Sequence, residues 1–317
     1  MGPGESGLLP RFPGSPFPPC PSCGLSSGIA ISMESLAFQG LIGLSLAMYL
    51  WLVSAGLTII FGVLGVINFA HGSLFMLGAY FAFTFYGLLG WNFWLAIVLS
   101  LGGTAAVGFV MERFFLRYLY GVDEAYQLLL TFGFILILDD AVKMIWGGVF
   151  RIPPIPAFLE GNWSVVGRPF PVYNVFIIVA GIVVGIVLWL GFERTWWGRT
   201  IRATASDREM ANAIGVNVPR VFSGVFMLGA MLAALGGALG TPVRVVSPGL
   251  GAAMIIQAFV ITVIGGLGNL PGAFVGSLIV GILSAYGTLL FPVFELALIY
   301  MVMAIVLLVR PQGLFAR

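Results

Sequence analysis

The sequence predicts an all-α, polytopic helical membrane protein, and three observations carry that reading. Hydrophobic residues make up 60 % of the chain and charged residues 8 %, against about 25 % charged in an ordinary soluble domain. Mean hydropathy is +1.09, more apolar surface than a water-soluble fold of 317 residues can hide. The apolar stretches are long and glycine-studded, without the alternation of barrel strands. A segment surrounded by lipid must satisfy its own backbone hydrogen bonds, which leaves helices.

The N-terminal residues 1–32 are unlike the rest. They are rich in Pro, Gly and Ser and hold both cysteines, Cys20 and Cys23. One C-x-x-C without a second pair or a nearby histidine is weak evidence for zinc or redox chemistry. The segment lacks the charged start and apolar run of a signal peptide. It is expected to be disordered, or a misassigned extension ahead of Met33, with residues 33–317 forming one transmembrane domain.

A span needs about 20 apolar residues. Runs of suitable character lie near 36–61, 72–89, 92–111, 125–146, 172–192, 220–240, 251–267, 272–291 and 293–309. They predict about eight to nine transmembrane helices, the shorter runs being candidates for broken or re-entrant segments. Arginine bias orients them. Arg113 and Arg117 follow the third run, the loop 193–220 carries Arg194, Arg199, Arg202, Arg208 and Arg220, and Arg310 and Arg317 close the chain. With these regions cytoplasmic, nine spans place the N-terminus outside and the C-terminus inside. The outer side then holds 147–171, whose prolines and Trp163 suit a structured interfacial loop.

Glycines four apart, at Gly181/Gly185, Gly236/Gly240 and Gly272/Gly276, each put two small residues on one helix face. Such faces let helices approach closely in lipid. The stretch "GVLGVINFAHGSLFMLGAY", 62–80, interrupts two apolar runs with Asn68 and the only histidine, His71. "GNLPGAFVGSLIVG", 268–281, echoes it, placing Asn269 before glycine at the start of a small-residue run. Transporters are often built from two related halves with broken helices.

Several chemistries are excluded. One histidine cannot supply a multi-histidine metal site, and no G-x-S-x-G elbow frames a serine. There is no G-x-x-x-x-G-K-[ST] phosphate loop, and the only lysine, Lys143, lies in "DDAVKMIWGG". A net charge of +2 implies no nucleic-acid partner. Asp139 and Asp140 stand four and three residues before Lys143 and can pair with it on one helix face. An ion-coupling site is one reading; a structural pair near the interface is the favoured one, and Glu295 reads the same way. No convincing mid-span carboxylate is visible.

The loop 193–220 reads differently. Ala203, Met210, Ala211 and Ile214 fall near one face of a short helix, which Gly215 closes as a C-terminal cap. An amphipathic helix between spans can lie on lipid or dock on a soluble partner. Its mixed charge favours docking.

Four stretches, "GVINFAHGSLFMLGAY", "RATASDREMANAIGVN" (202–217), "GGLGNLPGAFVGSLIVG" (265–281) and "LLVRPQGLF", resemble the permeases of high-affinity branched-chain amino acid ABC importers. The resemblance spans about 34–317, and the family also includes urea and short-chain amide permeases. It implies that this chain is a transport subunit and not an enzyme. Two separate ATP-binding subunits would drive it, with a second related permease beside it and an extracytoplasmic binding protein delivering substrate. No cofactor would be bound by this chain, ATP sitting on the partners. The location implied is a bacterial or archaeal cytoplasmic (inner) membrane, with lipid around a multi-pass chain and the C-terminus in the cytoplasm. The loop 193–220 matches the position of the family's coupling helix, which points to Arg202, Asp207, Arg208, Glu209, Ala211 and Gly215. "ANAIG", 211–215, loosely resembles the Ala-x-x-x-Gly pattern of importer coupling loops. Asn68, His71, Gly72 and Asn269 are the candidate substrate-pathway residues. For Asn68 and His71 two readings stand: support of backbone freed at a helix break, and contact with a zwitterionic substrate. The runner-up function is an ion-coupled secondary transporter acting without an ATPase.

Overall fold

The computed structural model describes residues 33–165 and 167–315. The expectation for residues 1–32, with Cys20 and Cys23, lies outside the described residues. The helices are α1 (Met33–Leu64), α2 (His71–Ala82), α3 (Phe93–Phe114), α4 (Glu124–Trp146), α5 (Val172–Arg194), α6 (Trp196–Ser206), α7 (Arg208–Ala213), α8 (Val218–Gly240), α9 (Leu250–Gly265), α10 (Leu270–Leu290) and α11 (Glu295–Val309). A two-stranded antiparallel hairpin, β1 (Asn162–Val165) with β2 (Arg168–Pro171), sits in the loop before α5 and pairs Trp163 with Phe170.

Each of the nine apolar runs becomes a helix. Six of these are long and apolar enough to cross a membrane unaided: α1, α3, α5, α8, α10, and α11 with the turn before it. The other three depart for visible reasons. α2 has only 12 residues before the chain loosens into a π-helical turn over Phe83–Leu88. α9 has 16. α4 has 23, but carries Glu124, Asp139, Asp140 and Lys143.

α1 is the central post. Of its apolar stretch 83 % is buried inside the protein, against 17 % for α5 and 6 % for α11, which lie at the outside of the bundle. The paired glycines build this centre. A Cβ at Gly181 would lie 2.7 Å from Met48, and one at Gly236 or Gly240 would meet Val53 or Tyr49. Gly272 and Gly276 do the same against α9, where a Cβ at Gly272 would lie 2.1 Å from Gly265 O. Between apolar helices in lipid, such close packing replaces the hydrophobic drive that water would supply.

The two ends of the bundle differ in kind. One gathers the C-terminal ends of α1, α3 and α9, the N-terminal ends of α8 and α10, the pair α6–α7 and residues 310–315. The other holds the hairpin and the turn after α8, tied by Arg151 and Val246, whose backbones exchange hydrogen bonds of 2.9 and 2.8 Å.

Candidate coupling and translocation site

The break expected after the first run lies at residues 65–70. α1 ends at Leu64, and Gly65 turns the chain with φ +66°. α2 then starts at His71, whose Nε2 lies 3.0 Å from Val53 O. Val53 is eleven residues before the end of α1, about 16 Å along its axis. The connecting segment therefore climbs back into the bundle, and α2 begins in its interior. There it meets the first turn of α9, for a Cβ at Gly72 would lie 2.0 Å from Gly251 O and 2.9 Å from Ile255 Cβ. Only two glycines allow this crossing.

Asn68, His71 and Gly72 are all fully or almost fully buried here. A carbonyl only accepts, so His71 Nε2 carries the proton and donates to Val53, leaving Nδ1 a bare acceptor. Nδ1 has no partner among the described residues, and neither Asn68 Nδ2 nor Oδ1 has one. The start of α2 has no side-chain cap either, Ala70 being the cap residue. An uncapped helix N-terminus leaves backbone N–H groups unsatisfied and carries partial positive charge. The break thus collects an unpaired amide, an unpaired imidazole nitrogen and a helix N-terminus in one dry place.

The second break is built differently. Gly266 and Gly268 turn the chain with φ +102° and +80° after α9, and Asn269 caps α10 by accepting from Gly272 N at 2.9 Å. Asn269 Nδ2 donates to Phe315 O, while Leu314 N and Phe315 N donate to Ile264 O and Gly265 O. Asn68, by contrast, caps nothing with its side chain. The two halves share a helix–glycine–helix break, not the use of asparagine. The breaks also touch: a Cβ at Gly62 would lie 3.0 Å from Gly268 Cα.

The loop 193–220 forms two helices, where one short helix was expected. Asp207 separates them and caps α7, its Oδ1 accepting from Met210 N at 2.9 Å. Glu209 occupies the first turn of α7, where a negative side chain suits the helix dipole. Ala211 is its one buried residue. Gly215, at φ +92°, closes α7: its N–H reaches Asn212 O and that of Val216 reaches Ala211 O, the paired bonds of a Schellman cap. Arg202 ties α6 to the end of α5 through Phe192 O and Glu193.

Arg208 leaves the loop entirely. Its Nη2 donates to Leu64 O at 2.6 Å, and its guanidinium lies 5.1 Å from the centre of the Phe222 ring on α8. Leu64 ends α1, where helix carbonyls lack intrahelical donors and carry partial negative charge. A cation there supplies both the missing hydrogen bond and the charge. Arg208 thus joins α7 to the last turn of α1, one residue before the break, and to α8.

Beside it stands a carboxylate that sequence reasoning missed. Glu112, near the end of α3, is the one fully buried acidic side chain among the described residues. Tyr120 donates to its Oε1 at 2.9 Å and Ser223 to its Oε2 at 2.5 Å. Burial, reinforced by the Glu112 charge, pushes the Tyr120 phenol well above its usual range, so it stays a neutral donor. Glu112 lies at a helix end, not mid-span. Its burial depends on Ser223, more than a hundred residues away, and a lone Glu before Arg113 gave no sign of it.

The other acidic groups are braces. Asp139 Oδ1 accepts from Gly249 N at 2.8 Å, capping α9, and Oδ2 lies 3.5 Å from Lys143. Asp140 pairs with Lys143 at 3.1 Å in the open. Glu295 accepts from Ser284, joining α11 to α10.

Over most of its length the chain is similar to known permeases. A family model described as the permease component of branched-chain amino acid transport systems matches residues 40–309. The chain is 32 % identical over 290 residues to the high-affinity branched-chain amino acid transport system permease protein BraD of Pseudomonas aeruginosa. That match covers 87 % of this chain and 94 % of BraD. The corresponding LivH protein of Escherichia coli K12 is 31 % identical over 296 residues, with the same coverage of each chain. The fructose import permease protein FrcC of Rhizobium meliloti is 26 % identical over 267 residues, covering 81 % of this chain and 69 % of FrcC.

Proposed function

The chain belongs to the family of permease components of branched-chain amino acid transport systems, and from that premise we propose that it forms half of an ATP-driven importer's pathway. It is a multi-pass inner-membrane transport subunit, not an enzyme, and permeases of this kind work with ATPase and binding-protein partners. The ion-coupled alternative is set aside: the family stands against it, and Asp139, Asp140 and Glu295 have structural partners.

Our reading gives the complex two ATP-binding subunits, a second related permease and an external binding protein. ATP binds the partner chains only. The end holding α6, α7 and residues 310–315 faces the cytoplasm, as the arginine bias favours. The substrate is a branched-chain amino acid. Once the crossing of α2 and α9 opens, its carboxylate would meet the uncapped N-terminus of α2 and the unpaired amide of Asn68, while His71 Nδ1 can accept from its ammonium group. Half-helix N-termini serve anionic substrate groups in this way in other transporters.

The observation that carries the reading is the bond from Arg208 to Leu64. Closure of the ATPases presses α7. The rigid guanidinium passes that displacement to the end of α1, so it acts where the chain turns towards Asn68 and His71. Glu112, held by Tyr120 and Ser223, keeps α3 and α8 together as the fulcrum. Arg208→Ala should leave assembly and ATP hydrolysis in place and lower uptake tenfold or more, since a hydrogen bond from a charged group is worth about 1.5–3 kcal/mol. Uptake equal to wild type in proteoliposomes holding the whole complex would overturn this role.

A further inference from the structure

A cleft between α3 and α8 shares only Ser223 with the transport reading. Its volume is about 600 Å³, and its walls include Phe109, Arg113 and Arg117 on one side and Arg220, Ser223 and Met227 on the other. It opens at the bundle end that holds α6 and α7.

Both walls change character in the same direction. Phe109 and Arg113, four apart, share one face of α3, and Arg117 joins them from the 3-10 turn that follows. On α8, which runs antiparallel, Met227, Ser223 and Arg220 descend likewise. The deep end is apolar, formed by Phe109 and Met227, and Phe109 and its neighbour Val110 are exposed on α3. The outer end presents three guanidinium groups.

These arginines lack counter-ions. None lies within 4 Å of a carboxylate among the described residues. Glu112, the nearest acid in sequence, is turned inward onto Tyr120 and Ser223. The N-terminus of α8, capped by Asn217, opens at the same place and adds partial positive charge. An apolar floor grading into three free cations is the reverse image of a phospholipid, with acyl chain, then phosphodiester.

We infer that this cleft binds the phosphate of an anionic phospholipid, the acyl chain lying against Phe109 and Met227. Arginine suits the phosphodiester because its planar fork takes two oxygens at once. The inference rests on the membrane setting and not on the ATPase reading, so either can fail alone.

The test uses the full chain purified in detergent without ATPase partners. Binding of phosphatidylglycerol, phosphatidylcholine and inorganic phosphate is followed by native mass spectrometry and thermal shift. Phosphatidylglycerol should give a one-to-one adduct and raise the melting temperature, and the other two should do neither. Each arginine near an anionic lipid is worth roughly fivefold in affinity, so R113Q/R117Q/R220Q should weaken phosphatidylglycerol on the order of 100-fold. The lysine triple should keep more of it, and R194Q/R199Q/R310Q should keep all. The lipid-free melting temperature of each variant reports an intact fold. Equal binding of phosphatidylcholine, or an unchanged affinity in the glutamine triple, overturns the inference. So does an equal response to phosphate alone, which would make the ligand a soluble anion.

Discussion

At the residue scale the decisive side chains are those whose partners lie far away in sequence. Arg208 was picked out from its loop alone, but its acceptor is 144 residues distant, and no periodicity reports such a pair. The cap that Asp207 forms follows a local start signal, an acid just ahead of a helical stretch, which the expectation of one helix in the loop passed over. Asn68 offers the cleanest discrimination between support and substrate contact. Its amide is buried without a partner, and an unsatisfied buried polar group costs about 1–3 kcal/mol. Asn68→Leu should therefore melt at or above the wild-type temperature and still lose most uptake. A fall in thermal stability would mean that the amide supports the backbone in a state other than this one.

At the element scale, what the sequence made legible was set by local forces. The apolar runs produced helices within a few residues of most expected bounds, because each is apolar enough to be buried and six are long enough to cross a bilayer. Gly215 marked a real termination, because few residues other than glycine accept a left-handed turn without strain. The π-helical turn at Phe83–Leu88 was not legible. Thr84 there donates to Tyr80 O and accepts from Trp146 on α4, so its geometry depends on a tertiary partner. The start of α9 is similar, being capped from α4 by Asp139. Asp139→Ala should lower the melting temperature by the equivalent of about 1 kcal/mol or more, the usual cost of losing a cap. Asp139→Asn should recover most of that in the same melting experiment, because an amide oxygen still accepts from Gly249. Equal losses in both would mean that the charge, not the hydrogen bond, matters.

At the scale of the whole molecule, topology follows from counting. Nine helices that alternate in direction put the hairpin at one end and α6, α7 and residues 310–315 at the other. With Cys20 and Cys23 replaced by serine, Gly167→Cys should react with a membrane-impermeant maleimide added to intact cells, and Asn212→Cys only after permeabilisation. The reverse pattern would invert the proposed orientation. What no count could foresee is that α2 starts inside the bundle and that the two breaks touch at Gly62 and Gly268. The bonds from residues 314–315 to Ile264, Gly265 and Asn269 have a consequence for biogenesis. The carbonyls at the end of α9 gain these partners only once the segment after α11 has folded back onto them. That corner of the permease is therefore closed by chain from beyond α11, and it forms after the helices it joins have met.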